Sequence, residues 1–572
     1  AQWLVMLYSD ADDNVLEHDL LLDLQEAELV GSTDQVTIIA QTDRFSGGYA
    51  GMEDWTGARR LLITQDDDMS GFGSEVLEEL GEINMADGAT LQEFIEWGVT
   101  NFPAQKRMLI MSDHGAGWPG GLSDPDPGGN GPDDLALAEF FGDNLWLMEL
   151  DNVLGQALDN VGLDALDVIG FDACLMSQLE VYTALAPHAR YAVASEEVEP
   201  GLGWAYASFL GELVANPQMG GAELVSHIVA SYIDGDVQLL NPDYVGNLTR
   251  QQAAEVMNAE VTLTAVDLAQ ITALNQALDG LVAALQTMDQ NAVAAARTYA
   301  QAYESVFGDE FPSPYIDLGH FAQLIQSSTN DANVLAAVDA LDAARQNAVI
   351  AEKHGPERPG SNGIAIYFPV RSIYEIAGNL GYTTVAARFA EDTQWDEFIA
   401  FHSGDGAGGV FARPASQRKD ALQALLPGVD PELIQILDDE IASLLEQDYT
   451  EDEIAQFLVD EYELPEDVAM ALLEEGLLSA APTAPAVNNT VRKPLQIAPI
   501  TLSAEIAYLD APVTVETEIT GDRVGYVYSF IGRLLPEDQI MIIEDQDFLF
   551  ANEDTTVGGV TYPQWPQGTF TV

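Results

Sequence analysis

The sequence predicts an α/β fold, with a mostly parallel sheet flanked by helices, over about its first 400 residues. Short apolar runs alternate there with segments whose apolar residues recur at helical spacing, which is typical of a parallel sheet with crossover helices. Several runs are continuously apolar, as strands covered on both faces are. Of the 572 residues, 47% are hydrophobic, so the chain can bury a sizeable core.

Eight apolar runs are the candidate strands of this sheet. They are Trp3–Asp10, Gln35–Asp43, Arg59–Gln65, Arg107–Asp113, Leu166–Ala173, Arg190–Glu197, Val261–Leu268 and Gly363–Val370. Helical patterns fill the intervals between them. The candidate helices include Thr90–Phe102, Leu147–Val161, Cys174–Ala186, Ala269–Met288 and Asp331–His354.

The composition changes twice along the chain and predicts three domains separated by two linkers. Residues 1–404 form the α/β domain, and the Gly/Ser-rich residues 405–424 form a linker. Residues 425–479 are acidic with apolar residues at helical spacing, which predicts a three-helix bundle. A second linker covers 480–493, and residues 494–572 form a β-rich domain that breaks off within a strand pattern, as a truncated domain would.

The charge of the chain is strongly negative. It has 20 Lys and Arg against 94 Asp and Glu, a net charge of −74. Nucleic acids and anionic membranes are excluded as partners, because phosphate binding needs a basic stripe and the sequence has none. The charge suits a high-salt environment, where self-repulsion is screened, or a basic substrate. We attribute most of it to a saline or marine source.

The sequence also indicates where the protein works. It begins at Ala1 without a Met, which fits a mature chain whose signal peptide has been removed. No apolar run reaches about 18 residues, so a membrane-spanning helix is not expected. We therefore expect an extracellular or cell-surface protein, and a monomer.

Two reactive side chains follow two of the predicted strands. His114 comes after the run Arg107–Asp113, and Cys174, the only cysteine, comes after Leu166–Phe171 at the start of a helical pattern. The carboxyl ends of parallel strands meet at one edge of a sheet, where active sites gather. A Cys near a helix N-terminus is favoured as a thiolate, and a neighbouring His makes it a useful nucleophile. The two residues are a candidate catalytic dyad.

The same patterns also have structural interpretations. A single Cys after an apolar strand is often a small buried hydrophobe, and His-Gly at a strand end is often a turn. The other histidines lack the strand-end position and are assigned to the surface or to packing. They are His18, His188, His227, His320, His354 and His402.

Three sequence blocks decide between these interpretations. "SDHGAGW" (Ser112–Trp118), "GFDACLMSQLEVYTAL" (Gly170–Leu185) and "ASEEVEPGLGWAY" (Ala194–Tyr206) resemble the clostripain family (C11) of cysteine peptidases, in the caspase-like clan CD. The opening "WLVMLYSDADDNVLE", together with "SNGIAIYFP" and "TQWDEFIAFH", is similar to further blocks of that family. The resemblance covers about the first 400 residues and implies a caspase-like fold.

The resemblance implies a cysteine endopeptidase with His114 and Cys174 as its dyad. Cys174 would attack the peptide carbonyl, and His114 would protonate the leaving amine and later activate water. The backbone N–H groups of Gly115 and Cys174 would form the oxyanion hole. No third catalytic residue is evident in the sequence, and no cofactor is required for this chemistry.

The resemblance also implies cleavage after Arg, sometimes Lys, of protein or peptide substrates in which these residues are exposed. A desolvated guanidinium needs a carboxylate partner, and Asp172 matches the acidic residue with this role in the family. The alternative role of Asp172 is to cap the helix that follows. Ser195 and Glu197, at the end of the next predicted strand, are candidates for the pocket wall.

Activation is expected to differ from the family pattern. Relatives are often cut after a basic residue between His and Cys, but this chain has no Lys or Arg from Gly115 to Ala173. Self-cleavage is instead expected in the linkers, at Arg418, Lys419, Arg492 or Lys493; a fifth basic residue there, Arg413, precedes Pro414, which makes a poor bond for most peptidases. The acidic bundle between the linkers is then either a releasable cover over the cleft or a spacer.

Calcium dependence is common in the family, and one acidic segment offers oxygen ligands for it. It lies between the two dyad residues and contains Asp124, Asp126, Asp133 and Asp134. The spacing does not match an EF-hand loop. A solvated acidic turn is the alternative interpretation.

Two other functions remain open from the sequence. One keeps the dyad and changes the residue preferred before the cut bond to Asp or Asn, although Asp172 argues against Asp. The other is a weakly active surface-binding protein in which the helical and β-rich domains matter more.

Overall fold

The structure of the protein is a computed structural model. It describes residues 1–403 except 14, 47, 50, 52–54, 70, 125–142, 247, 308–311, 371–372 and 375–378. It also covers residues 437, 441 and 458 and eight strands between 496 and 571. The chain divides into two compact units, Ala1–Leu478 and Ser479–Val572. The two predicted linkers and nearly all of the predicted bundle lie outside the described residues, so the predicted domain limits remain a prediction.

The first unit contains thirteen described strands. In chain order they are β1 (Trp3–Ala11), β2 (Val36–Arg44), β3 (Ala58–Leu62), β4 (Glu75–Gly81), β5 (Lys106–Ser112), β6 (Gly120–Gly121), β7 (Leu145–Trp146), β8 (Leu166–Asp172), β9 (Ala189–Ala194), β10 (Thr262–Asp267), β11 (Tyr315–Asp317), β12 (Val349–His354) and β13 (Ala365–Tyr367).

Nine of these strands form one sheet, in the order β12-β10-β9-β8-β5-β1-β2-β3-β4. The five central strands, β9, β8, β5, β1 and β2, are parallel to one another. The two strands at each edge are antiparallel. The expected α/β class with a parallel sheet at its centre is confirmed.

Helices cover both faces of the sheet. They are α1 (Glu17–Val30), α2 (Gly88–Asn101), α3 (Leu147–Val161), α4 (Leu179–Leu185), α5 (Tyr206–Ala215), α6 (Gly221–Ser231), α7 (Pro242–Val245), α8 (Arg250–Met257), α9 (Ile271–Leu285), α10 (Gln290–Tyr299), α11 (Leu318–Ser328), α12 (Ala332–Ala348), α13 (Asn379–Val385), α14 (Ala387–Asp392) and α15 (Trp395–Phe401). Two short 3₁₀ helices cover Gln238–Leu240 and Leu268–Gln270.

The central strand β1 shows why both faces are covered. All nine of its residues are buried. Because successive side chains of a strand point to opposite faces, alternate residues enter two cores. Leu4 and Met6 pack in the core that includes α2, α3 and α9, whereas Val5 and Leu7 pack in the core that includes α1, α5 and α6.

One helical stretch is relevant to the prediction that the chain has no membrane-spanning helix. Within the part of the chain that the structure describes, Leu268–Leu285 is long and apolar enough to cross a membrane by length and composition. Its Leu274, Leu278 and Leu281 are fully buried in the core. Core helices of globular domains pass the same test, so the stretch is weak evidence for a span.

Two predicted elements have different bounds in the structure. The predicted helix Asp331–His354 ends at Ala348, and its last six residues form the edge strand β12, paired with β10. The predicted strand Gly363–Val370 is reduced to Ala365–Tyr367. It pairs with β11 in a separate two-stranded sheet and does not join the central one.

The described residues of the second unit all lie in strands. They are β14 (Gln496–Ile497), β15 (Thr501–Leu502), β16 (Val515–Thr520), β17 (Val527–Leu535), β18 (Ile540–Leu549), β19 (Glu553–Val557), β20 (Val560–Gln564) and β21 (Thr569–Thr571). β17 and β18 form an antiparallel pair, as do β19 and β20. β16 pairs with β14, β15 and β21.

Candidate active site

The register of the central sheet brings the two predicted dyad residues to equivalent positions. β5 and β8 are adjacent parallel strands whose last paired residues are Ser112 and Asp172. His114 and Cys174 each follow two residues beyond that pair. The Asp113 N–H donates to the carbonyl of Asp172 at 3.4 Å, which extends the strand contact toward the site.

Gly115 comes close to the backbone of Cys174. A Cβ built on Gly115 would overlap the carbonyl oxygen of Cys174 and lie 2.9 Å from both its carbonyl carbon and its amide nitrogen. Backbone atoms cannot retreat as a flexible side chain can, so only Gly fits at this position. Within the described residues, the N–H groups of Gly115 and Cys174 donate to no other backbone carbonyl. Donors of an oxyanion hole need to be unengaged in this way.

The segment after Cys174 differs from the predicted helix Cys174–Ala186. The helix α4 begins only at Leu179, with Gln178 as its N-cap. Leu175, directly after the cysteine, is buried and has a φ of 67°, a left-handed conformation that costs a non-Gly residue about 1–2 kcal/mol. The expected help of a helix N-terminus to the thiolate is therefore wrong. The alternative role of Asp172 as a helix cap is excluded too.

The backbone beyond β9 holds this segment in place. The Leu175 N–H donates to the carbonyl of Glu197 at 3.3 Å, and the Ser177 N–H donates to the carbonyl of Ser195 at 2.7 Å. The partner residues run backwards, from Glu197 to Ser195, while the chain runs forwards from Leu175 to Ser177, so this contact is antiparallel, unlike the parallel pairing of β8 with β9. The strain at Leu175 is thus fixed by its surroundings, as is common at functional sites.

Ser195 and Glu197, the candidates for the pocket wall, lie inside the molecule. The Ser195 hydroxyl donates to the Glu197 carbonyl at 2.8 Å and contacts Thr262 Oγ1 at 2.9 Å. The Glu197 carboxylate pairs with Arg358 at 2.7 Å, with both side chains buried, and also accepts the Glu304 N–H. Their polar atoms are engaged internally, so these positions support a role in holding the Cys174 segment rather than contact with a substrate.

Asp172 lies at the end of β8 and is buried. Its Oδ2 accepts the Tyr206 hydroxyl at 2.8 Å and the Trp204 N–H at 3.3 Å. It also shares a hydrogen bond with the carboxyl of Glu199, whose Oε2 accepts the Trp204 indole N–H at 3.1 Å. The structure thus places Asp172 as a buried acid two residues before the cysteine, and it adds Glu199, which the sequence analysis did not single out.

Asp172 and Glu199 form a carboxyl pair with unequal roles. Burial raises the pKa of Asp172, and the hydrogen bond from Glu199 partly offsets that rise. Burial also raises the pKa of Glu199 well above its usual range, and the neighbouring charge of Asp172 adds to the rise. Of the two carboxyls, Glu199 is therefore the more readily protonated and Asp172 the more readily charged. Two adjacent carboxyls offer a basic side chain a partner of opposite charge.

Glu199 also connects this pair to Cys174. Its backbone N–H donates to the Cys174 sulfur at 3.3 Å. Burial raises the pKa of the Cys174 thiol to about 11, the Glu199 N–H lowers it, and the carboxylates of Glu197, Glu304 and Asp172 raise it further. The resting thiol is therefore protonated at neutral pH, and the nucleophile has to be generated by a base during the reaction.

This environment predicts how Cys174 reacts with a neutral alkylating reagent. Below a pKa of about 11 the thiolate fraction rises about tenfold per pH unit, so the rate of iodoacetamide alkylation should rise about tenfold per unit from pH 7 to pH 9. Mass spectrometry of the single cysteine measures the rate. A rate that levels off below pH 8 would instead indicate a thiolate already paired with an imidazolium.

The predicted calcium ligands do not come together in the described part of the chain. Asp124 is buried and accepts the Met85 N–H at 2.9 Å. Asp126, Asp133 and Asp134 lie outside the described residues. Within the described residues, no group of three or more His, Cys, Asp and Glu side chains is arranged to hold a metal ion. Calcium binding here remains a prediction, and no step of the chemistry is assigned to it.

Comparison with known proteins places the chain in a family. The model of the clostripain family matches residues 7–401, which is more than half of the chain. A clostripain from Hathewaya histolytica is 31% identical over 124 residues, which is 20% of this chain and 23% of that protein. The match thus spans less than a quarter of this curated relative.

Solved structures of related proteins are also similar to this chain. One is a secreted C11 cysteine protease from Bacteroides thetaiotaomicron in complex with an irreversible peptide inhibitor, with 17% identity and a TM-score of 0.45 over 68% of this chain and 99% of that one. Another is an inactive zymogen C11 protease from Parabacteroides distasonis, with 16% identity and a TM-score of 0.48 over 68% of this chain and 97% of that one. The resemblance inferred from the sequence blocks is confirmed by the family match, and the chain belongs to the clostripain family of cysteine peptidases.

Proposed function

We propose that this protein is an endopeptidase that cleaves peptide bonds after Arg or Lys, with Cys174 as the nucleophile and His114 as the acid and base. The observation that carries the proposal is the pair of carboxyls of Asp172 and Glu199 at the end of β8, which is joined to the cysteine because the Glu199 N–H donates to the Cys174 sulfur. A basic side chain that enters this site gives up its hydration and gains a negatively charged partner. A neutral or acidic side chain gains no such partner.

The first half of the reaction forms a thioester. His114 takes the proton of the Cys174 thiol as the sulfur attacks the substrate carbonyl carbon. The N–H groups of Gly115 and Cys174 stabilise the negative oxygen of the tetrahedral intermediate. The carbon–nitrogen bond then breaks, and the imidazolium gives its proton to the amine nitrogen, so that the C-terminal fragment of the substrate leaves as a neutral amine.

The second half restores the enzyme. His114 takes a proton from water, and the water oxygen attacks the thioester carbon at the same oxyanion site. The carbon–sulfur bond breaks, the sulfur regains a proton from the imidazolium, and the carboxyl product leaves. The exposed imidazole, with 47% of its side-chain surface accessible, is open to both substrate and water.

Four fluorogenic peptides that differ only in the residue before the cut bond test this proposal. With Arg, Lys, Asp or Asn at that position, we expect kcat/KM for Arg and Lys to exceed the other two by about a hundredfold or more. A preference for Asp or Asn would indicate another specificity of the same dyad. No turnover of any peptide by folded protein would favour a surface-binding role.

Processing should follow the same specificity. Since no Lys or Arg lies between Gly115 and Ala173, we expect the catalytic unit to stay uncut there. Any self-cleavage should fall in the linkers, which fit an extended conformation into a cleft at little ordering cost. The candidate sites there, Arg418, Lys419, Arg492 and Lys493, lie outside the described residues.

Mass spectrometry of the incubated protein checks this prediction, with a Cys174→Ala variant beside it to exclude a contaminating protease. Fragments that end at a linker Arg or Lys, and only in the wild type, are the expected result. A Cys174-dependent cut between Gly115 and Ala173 would contradict both the processing scheme and the basic specificity.

The surroundings of the enzyme follow from the composition of the chain. We infer that it is exported and works outside the cell, in a saline medium that screens its net charge of −74. At short range, where screening is incomplete, the negative surface attracts polycationic segments. The charge of the chain and the proposed pocket therefore favour the same substrates, which are proteins and peptides with exposed Arg or Lys.

A further inference from the structure

The loop between β1 and α1 brings a carboxylate to the candidate dyad. β1 and β5 are adjacent parallel strands whose last paired residues are Ser9 and Ser112, so the residues that follow them meet at the same sheet edge. There the Asp13 Oδ2 lies 3.6 Å from the His114 Nε2. The Asp13 side chain is 18% exposed and the His114 side chain 47%, so the carboxylate is the more sheltered partner.

The two oxygens of Asp13 have separate partners. Oδ1 accepts the N–H groups of Val15 and Leu16 at 2.6 and 2.7 Å. The backbone carbonyl of Asp13 accepts the N–H of Glu17, the first residue of α1, at 3.1 Å. These bonds fix the direction of the carboxylate at the start of the helix. Oδ2 remains to face the imidazole.

A buried ion pair anchors the loop. Glu17 Oε1 lies 2.8 Å from Arg44 Nε, and the two side chains are 3% and 1% exposed. Arg44 is the last residue of β2, and its guanidinium also donates to the Tyr49 carbonyl at 2.5 Å. The start of α1 is therefore tied to the end of a central strand. A carboxylate held on such rigid elements can position a catalytic side chain.

We propose that Asp13 is a positioning residue for the dyad: its carboxylate holds the Nε2 side of His114 and leaves Nδ1 to exchange protons with Cys174 and the substrate. This inference rests on the proposed function. A carboxylate against one nitrogen favours the tautomer with a proton there, and it stabilises the imidazolium that forms when the thiol proton is taken. The opening block of the sequence thereby gains a role in the reaction.

Asp13→Asn tests the proposal. An Asn side-chain oxygen can still accept the Val15 and Leu16 N–H groups, so the helix start is kept while the charge beside His114 is lost. We expect kcat on an Arg peptide to fall about tenfold to a hundredfold, with KM within about twofold of wild type. The acid limb of the kcat/KM profile should move to lower pH by about 0.5 to 1 unit, because the imidazolium loses an opposing charge.

Other carboxyls at this sheet edge bear on the pH profile. They are those of Asp10 at the end of β1, Asp113 at the end of β5, and Asp124. Burial is the first cause that raises the pKa values of Asp10 and Asp113. They are common to wild type and variant, so the difference between the two profiles reports on Asp13.

Two further variants complete the experiment. Asp331→Asn makes the same change at a remote exposed cap, where Asp331 accepts the Asn333 N–H at 2.7 Å, and it should leave kcat, KM and the profile unchanged. Asp13→Ser, which also caps but carries no charge, replaces Asp13→Asn if that variant does not fold. A folded Asp13 variant with kcat within twofold of wild type and an unshifted acid limb would overturn the inference. Wild-type protein without peptidase activity would overturn the proposed function first.

Discussion

Replacing Cys174 by Ala is expected to lower kcat/KM for an Arg peptide by at least about a thousandfold, and His114→Ala is expected to do nearly the same. Without the sulfur no thioester forms, and without the imidazole a thiol with a pKa of about 11 has no base to take its proton. Residues that act as one unit each remove most of the rate when they are lost singly. The measurement is steady-state turnover of the fluorogenic Arg peptide by each purified variant.

The controls for these variants come from the chain itself. Cys174 is the only cysteine, so Cys174→Ala should lose all iodoacetamide labelling, which identifies the labelled site without mapping. His354 is also a surface histidine beside a carboxylate, with its Nδ1 2.7 Å from Glu352, but it lies on the edge strand β12. His354→Ala should therefore keep wild-type turnover. Turnover by folded Cys174→Ala within about tenfold of wild type would refute the nucleophile.

The sequence predicts an element well where the local pattern of residues alone determines where that element begins and ends. The helix Leu147–Val161 has its predicted bounds, because its apolar residues keep a helical spacing up to Gly162, which ends it in a left-handed conformation. The ends of β5 and β8 were also predicted to within one residue. Since His114 and Cys174 each follow one of these ends by two residues, both could be singled out from the sequence as a candidate dyad.

The prediction fails where a distant partner overrides the local pattern. Leu175, Met176 and Leu179 are apolar at helical spacing, yet the first two are buried in a non-helical segment held by the backbone beyond β9. Similarly, the acidic run Glu75–Gly81 has no strand pattern. It becomes the edge strand β4 because Glu78 and Glu79 pair with two arginines of β3.

Contacts with residues distant in the sequence also determine which acid of the "ASEEVEPG" block lies beside Asp172. Glu197 forms an ion pair with Arg358, which lies 161 residues later in the chain, and Glu196 accepts the N–H of Gly363. Only Glu199 turns toward Asp172. Three acids after a strand at the same sheet edge were a signal that one of them belongs to the pocket, but the long-range partners decide which one. The contact of Asp13 with His114 depends likewise on the pairing of β1 with β5.

The second large effect is expected at Asp172, where Asp172→Asn should lower kcat/KM for Arg and Lys peptides by about a hundredfold. An Asn side chain can still accept the Tyr206 hydroxyl and the Trp204 N–H, so the local fold is kept. What is lost is the charge that compensates a desolvated guanidinium or ammonium, and loss of one partner of a buried ion pair costs about 3–5 kcal/mol. Turnover of a peptide with neutral citrulline in place of Arg should change by less than about threefold.

Glu199→Gln is the matched variant for Asp172→Asn, because it changes the member of the pair that is the more readily protonated. Its effect on Arg peptides should be smaller, about tenfold or less, since the charge of Asp172 remains. Iodoacetamide alkylation should respond in the opposite direction: Asp172→Asn removes a charge that raises the pKa of Cys174, so alkylation at pH 8 should become faster while peptidase activity falls. If folded Asp172→Asn instead cleaves Arg peptides as efficiently as wild type, then Asp172 serves only as an acceptor for Tyr206 and Trp204, and the basic specificity must come from other residues.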